Sequence, residues 1–215
     1  MSTLAQITYN IASVIDKQND DVFIKRLEFM VQYYRSLLMK RDIDSGRKIP
    51  QQFIQSLGCL DTIEVDAAEC CSVQVDCTVR RTKDKIPSAL RLRSGNYFQY
   101  VGTIDGMKSF DHAEDGEIPY YKYSKYVKNK AFYVYKNEYI YIFNSEAEAI
   151  NVKGIFENPE DVSAFNNCGG ENCFDENSQY PVSLDLVQQI TQSIMSNELR
   201  IERPENDNNE INVNE

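Results

Sequence analysis

The chain has one histidine, His112, and no tryptophan, and several common signatures are missing as well. A single imidazole leaves no room for a multi-histidine metal centre. No nucleophile-elbow, phosphate-cradle or metalloprotease-helix motif is present. Carboxylates are plentiful but scattered, so no catalytic pair stands out. No run approaches the roughly eighteen apolar residues that a membrane helix needs. The first ten residues have neither a basic start nor an apolar core, so no signal peptide is expected. Positive charge is scarce: 23 Lys and Arg stand against 33 Asp and Glu, a net charge of -10. Such a chain is not drawn to nucleic acid or to an anionic membrane by its overall field. A soluble, non-enzymatic protein without a cofactor is therefore expected, made in a reducing cytoplasm. Its six cysteines (Cys59, Cys70, Cys71, Cys77, Cys168 and Cys173) are then thiols by default.

What is present is a change of periodicity along 215 residues, enough chain for one core with or without a small appendage. Leu4, Ile7, Ile11, Val14 and Ile15 recur at helical spacing. Asn19-Asp20-Asp21 interrupts them and suits the start of a second helix. That helix carries Phe23, Leu27, Met30, Tyr34, Leu37 and Leu38 on one face, with Lys40 and Arg41 in its last turn. A short third helix is expected after Pro50, with Phe53, Ile54 and Leu57 as its apolar positions and Gly58 closing it.

Beyond it the pattern turns to short β-branched and aromatic runs at 60–64, 73–80, 96–105, 130–134, 139–143 and 149–156, with a hairpin turn over 135–138. A helix is expected at 160–165, then a Gly/Asn/Cys loop at 166–177. A last amphipathic helix, opened by Pro181 and Ser183, displays Leu184, Val187, Ile190, Ile194 and Met195. The acidic, Asn-rich stretch 203–215 should be disordered alone. Helices and strands are segregated, so the fold class is α+β. The units expected are an N-terminal helical hairpin or bundle (1–58), a mostly antiparallel β-rich module (59–157), C-terminal helices completing the bundle (158–202) and a polar extended tail (203–215).

Four side-chain groups could carry chemistry. His112, between Asp111 and Glu114, reads as a solvated loop residue. Cys70 and Cys77 with Cys168 and Cys173 could converge on a structural zinc, although the gaps between thiols do not match those of zinc knuckles. The simpler reading is free thiols; a Cys168–Cys173 disulfide formed in an oxidising medium is a third. The aromatic stretches 120–126 and 132–143 and the basic residues Arg80, Arg81, Lys83, Lys85, Arg91 and Arg93 could serve nucleic acid. Alternating tyrosines more often form a sheet face or a protein interface, and loop cations are more often solvated. The last helix with its tail could dock on another subunit, or simply pack on the chain's own core.

Several stretches resemble one family. They are the helical segment ending Gln32-Tyr33-Tyr34-Arg35-Ser36-Leu37-Leu38-Met39-Lys40-Arg41, Ala68-Glu69-Cys70-Cys71, Lys85-Ile86-Pro87 and Tyr100-Val101-Gly102-Thr103-Ile104-Asp105-Gly106. Gly154-Ile155-Phe156-Glu157-Asn158-Pro159 and Tyr180-Pro181-Val182-Ser183, followed by the last helix and tail, complete the set. Taken in order they resemble the head–tail connector, or ring, proteins of crAss-like and other short-tailed phages of gut bacteria. The resemblance implies a structural virion protein at the head–tail junction, assembled in the host cytoplasm into a ring of about twelve copies below the portal.

It also implies contacts with the portal and the next tail or ring component, and genomic DNA that only passes through the channel. In related adaptors the C-terminal segment grips the portal. Carried over, Leu184, Val187, Ile190, Ile194, Met195 and Leu199, with Arg200, Ile201, Arg203, Ile211 and Val213 of the tail, become the portal-binding candidates. The competing readings are a nucleic-acid-binding accessory protein and, more remotely, a small metal-dependent enzyme.

Overall fold

A computed structural model describes residues 2–66, 78–114, 116–118, 120, 125–127 and 130–199. Helix α1 spans Leu4–Val14 and starts with a capping box between Thr3 and Gln6. Helix α2 spans Asp21–Asp44, and the Asp20 carboxylate accepts from the Val22 and Phe23 amides at its start. Helix α3 spans Leu184–Ser193, is capped by Ser183, and continues as a π-turn through Ile194–Glu198.

The strands are β1 (Gln55–Asp66), β2 (Thr78–Thr82), β3 (Phe98–Thr103), β4 (Asp111–His112), β5 (Phe132–Lys136), β6 (Tyr139–Phe143) and β7 (Ala149–Gly154). They form one sheet in the order β3-β7-β1-β2-β6-β5-β4. Every pairing is antiparallel except β4 with β5. The α+β class and the mostly antiparallel sheet agree with the periodicity.

Two local expectations are corrected. After Pro50 the chain makes only a 3-10 turn, Gln51–Phe53, and then runs as β1. Leu57 and Leu60 are core residues of that strand, not helix positions. The segment Pro159–Ala164 is likewise 3-10. Both are a few residues long beside a proline, too short to nucleate an α-helix. The hairpin turn is tighter than expected: Asn137 and Glu138 both take positive φ (53° and 67°) between β5 and β6. This is the two-residue geometry whose twist matches the strands.

Strand β1 holds the sheet together. Its first half, from Gln55 to Asp61, pairs with β7, and its second half, from Thr62 to Asp66, pairs with β2. At the crossover Thr62 is buried and fully used. Its hydroxyl donates to the Ala147 carbonyl (2.6 Å) and accepts from Arg80 Nε (3.0 Å), while its carbonyl accepts from Arg80 Nη2 (3.1 Å).

The period-two alternation of β5 and β6 divides their side chains between the two faces. Tyr133, Ile140 and Ile142 join the main core with α1, α2 and α3, whereas Val79 with Tyr141 and Phe132 with Val134 form small clusters apart from it.

Among the described residues one charged side chain is buried, Arg35 of α2, and it is fully buried. Its Nε donates to the Pro181 carbonyl (3.0 Å), and its Nη1 donates to the carbonyls of Phe156 (3.0 Å) and Glu157 (3.5 Å). Ser36 Oγ donates to the Glu157 carbonyl as well (2.8 Å). The guanidinium lies 5.6 Å from the Tyr180 ring centroid. Among the described residues Nη2 has no hydrogen-bond partner, nor does the Tyr180 hydroxyl. Burial lowers the guanidinium pKa to about 10, so the charge persists at neutral pH. Among the described residues no carboxylate pairs with it; neutral carbonyls and an aromatic face hold it in place. These carbonyls are bare because they lie where β7 has ended and α3 has not begun; Phe156 has only an isolated bridge to Ala89, whose hydrogen bonds are made by Ile155 and Glu157.

Arg35→Met should therefore lower stability although it removes a buried charge. It leaves the Phe156 and Pro181 carbonyls without a donor, at about 1–3 kcal/mol each. Urea-melt midpoints check this; an unchanged or raised midpoint contradicts it.

Stability should also fall above pH 10. Burial raises the Tyr135 and Tyr180 hydroxyls to about 12 and raises Tyr133 in the same direction. Between pH 10 and 12 the unfolded chain has released these protons and the folded chain has not, so rising pH favours unfolding. Each retained proton contributes a slope of about 1.4 kcal/mol per pH unit at most. Arg35 opposes with one group of the other sign. Tyr135→Phe should flatten the slope in melts recorded at pH 9, 10 and 11.

Candidate functional site

Helix α3 presents its apolar side to the chain's own core. Ile190, Ile194 and Leu199 are buried there together with Leu186. The helix lies against α2, with Arg41 Nη2 donating to Gln189 Oε1 (3.1 Å) and Tyr34 Oη to Glu198 Oε1 (3.1 Å). Val187 and Met195 are half-buried at the edge of that packing, and Leu184 is exposed. While the helix stays docked, Leu184, Val187 and Met195 are the apolar candidates on the helix that can meet a partner. Arg200, Ile201, Arg203, Ile211 and Val213 lie outside the described residues.

The cysteines differ from the expectation of free thiols. Cys59 and Cys168 form a disulfide, with Cα atoms 5.0 Å apart across a sequence separation of 109. Cys168 is therefore not paired with Cys173 and is not available to a zinc site. The cause is local to β1. Gly58 and Cys59 together stand opposite the single residue Asn151 of β7, a bulge that sets Cys59 beside the loop 166–173. Gly58 lets that loop approach, since a Cβ there would lie 2.5 Å from Asn167 Cα. Cys173 is a half-buried thiol, and its Sγ accepts from the Gly58 amide (3.4 Å). Cys70, Cys71 and Cys77 lie outside the described residues. Among the described residues no group of three or more His, Cys, Asp or Glu side chains could hold a metal ion.

The basic patch is largely taken up internally. Arg80 is bound to Thr62, and Arg81 stacks over Tyr139 at 4.1 Å. Lys85 pairs with Glu138 at 2.8 Å. Arg91 Nε donates to the Gly95 carbonyl, and Nη2 faces Glu114 at 3.8 Å. The tyrosine-rich hairpin is likewise engaged: Tyr133 and Tyr141 are buried, and Tyr135 packs on Tyr97 and Phe98 at 5.0 Å between ring centroids. Tyr120 and Tyr126 are exposed, whereas residues 121–124 lie outside the described residues.

His112 is not a solvated loop residue. It sits on β4, half-buried with its ring 5.3 Å from that of Tyr133, and desolvation lowers its pKa. No nucleophile is hydrogen-bonded to it among the described contacts.

The arrangement is therefore a packed scaffold whose polar groups mostly serve itself. A comparison with protein families matches residues 6–215 to phage tail ring protein 2. The chain belongs to this crAss-like phage tail ring family. No curated protein matches it. The match covers both helical and β-rich parts, so it is the whole fold that the family carries, and membership points to a structural component of the virion that assembles with copies of itself. Among the described residues no helix of the ring protein is long and apolar enough to cross a membrane.

Sequence reasoning missed the Cys59–Cys168 pair. Gly58 next to Cys59 inside a β-branched and aromatic run was the available signal for a bulge, but nothing in the sequence reports which loop meets it. Reducing this disulfide, or replacing Cys59 with Ser, should cost about 2–4 kcal/mol because the crosslink closes a long loop. For a chain of this size that is a fall of roughly 5–15 °C in melting temperature. Calorimetry with and without reductant checks it, with Cys173→Ser as a control that keeps the pair. Identical melting temperatures would contradict it.

Proposed function

We propose that this ring protein sits below the portal, joins capsid to tail and extends the DNA channel. About twelve copies would close the ring through a heterologous interface, each copy using two different surfaces. The function is assembly and not catalysis. The observation that carries this reading is family membership over nearly the whole chain. The side-chain inventory is consistent with it: the scaffold is disulfide-linked and its buried polar groups mostly serve the chain itself.

A net charge of -10 also suits a channel component, since acidic walls repel phosphates and let a genome slide without sticking. The portal contact falls to Leu184, Val187 and Met195 at the rim of α3 and to Arg200, Ile201, Arg203, Ile211 and Val213 in the tail. A polar segment that orders on binding wraps a large surface, and repetition around a ring converts weak contacts into lasting attachment.

The nucleic-acid reading keeps the exposed Tyr120, Tyr126, Lys83 and Arg93 but loses most of its other groups. The tyrosines of the hairpin are packed into the protein, and Arg80, Arg81, Lys85 and Arg91 are engaged within it.

Quantitative peptide mass spectrometry of purified particles, calibrated on portal and capsid peptides, tests the proposal. It expects as many copies as the portal, about twelve. Absence from particles overturns it, and hundreds of copies would make the chain a capsid decoration or cargo.

A further inference from the structure

Helix α2 is apolar on two sides. Its inner stripe, including Phe23, Leu27 and Leu38, lies in the core. On the opposite side Val22, Phe29, Tyr33 and Leu37 are 80, 68, 54 and 51% exposed. Their spacing of seven, four and four residues confines them to one strip of the helix about 22 Å long. Leu37 thus faces outward, contrary to the single inner face that the sequence suggests. Exposed apolar residues scattered singly need no explanation, but four in line on one helix do. A helix apolar on both sides is normally covered on both.

The other exposed positions of α2 are the cations Lys25, Arg26 and Arg41 and, at its two ends, the acids Asp21 and Asp44, of which Asp44 is paired with Lys40 at 2.8 Å. A strip of apolar and basic groups on a chain of net charge -10 complements an acidic protein surface. In a ring, the acidic surface always available beside it is that of the next copy.

We infer that the outer face of α2 seats the neighbouring copy of this chain in the ring. The inference rests on the ring reading above. The face meets a different surface of the neighbour, because a face that met itself would close a two-fold dimer and leave no ring. Phe29 and Tyr33 are the central anchors, as large aromatics carry most of the energy of such interfaces. Val22 and Leu37 extend the apolar strip on either side, and the cations form its polar rim.

A photo-crosslinking phenylalanine analogue placed at Phe29 of the full chain, in phage-producing cells, tests this. The same probe at exposed Gln192 of α3 serves as control. The expected product has twice the mass of one chain, forms from Phe29 and not from Gln192, and links to a peptide outside residues 22–41. An adduct with another protein or with nucleic acid overturns the inference. So does a link to residues 200–215 at single-chain mass, a link only to the same helix of a second copy, or no adduct.

A Phe29→Glu/Tyr33→Glu double variant gives a second readout. Both sites are exposed, so its melting temperature should stay close to that of the parent, while its copies per particle fall by at least about tenfold. Wild-type copy number in particles overturns the inference. If the parent chain itself is absent from particles, the ring reading fails; if it is present at ring number without the Phe29 adduct, only the α2 interface fails.

Discussion

Arg35 is the constraint on which the arrangement of helices and sheet depends. Among the described residues it is the one buried charged side chain, and its donors reach the two places where the backbone leaves regular structure. The Phe156 carbonyl ends the sheet side, and the Pro181 carbonyl begins the lead-in to α3. A hydrophobic side chain there could fill space but could not satisfy those oxygens. The charge is held by several backbone groups at once, so no single partner can move away with it. The long helix, the end of β7 and the start of α3 are thereby fixed to one point. Thr62 and Arg80 do the same for the two halves of the sheet at the β1 crossover.

A scaffold fixed in this way suits a ring component. A closed ring requires every copy to present two surfaces at a constant angle, and flexibility between helices and sheet would spread that angle. Of the basic groups between Arg80 and Arg93, Arg80 meets Thr62 and Arg81 the Tyr139 ring within the fold, while Lys85 and Arg91 meet Glu138 and Glu114 at its surface. On the outside, α2 combines apolar and basic side chains, while the chain as a whole is acidic. The same helix therefore anchors the interior through Arg35 and faces outward through Phe29 and Tyr33.

Most of the architecture was legible in the sequence because it rests on periodicity. The stripes of α1, α2 and α3 and the alternation of β5 and β6 follow from the spacing of apolar residues alone. What was not legible depended on tertiary contact. Residues 51–57 read as a helix because Phe53, Ile54 and Leu57 fit its spacing, yet pairing of 55–57 with β7 outweighs local preference. His112 read as solvated because nothing near it in sequence shows the Tyr133 ring that covers it. Leu37 read as core because it adjoins Leu38, although 100° of helix rotation separates them. Of the C-terminal candidates, the sequence identified the apolar stripe of α3, but burial of Ile190, Ile194 and Leu199 shows that most of that stripe belongs to the interior. Of the cysteines, only the fold reveals that Cys59 and Cys168 are neighbours.

An electron cryo-microscopy reconstruction of the head–tail vertex measures the central claim most directly. The account predicts a closed ring of this chain beneath the portal, with each copy keeping α2, α3 and the sheet fixed about Arg35 and with the outer side of α2 covered by the adjacent copy. A ring in which that side of α2 faces solvent, or a vertex that lacks this chain, would contradict it.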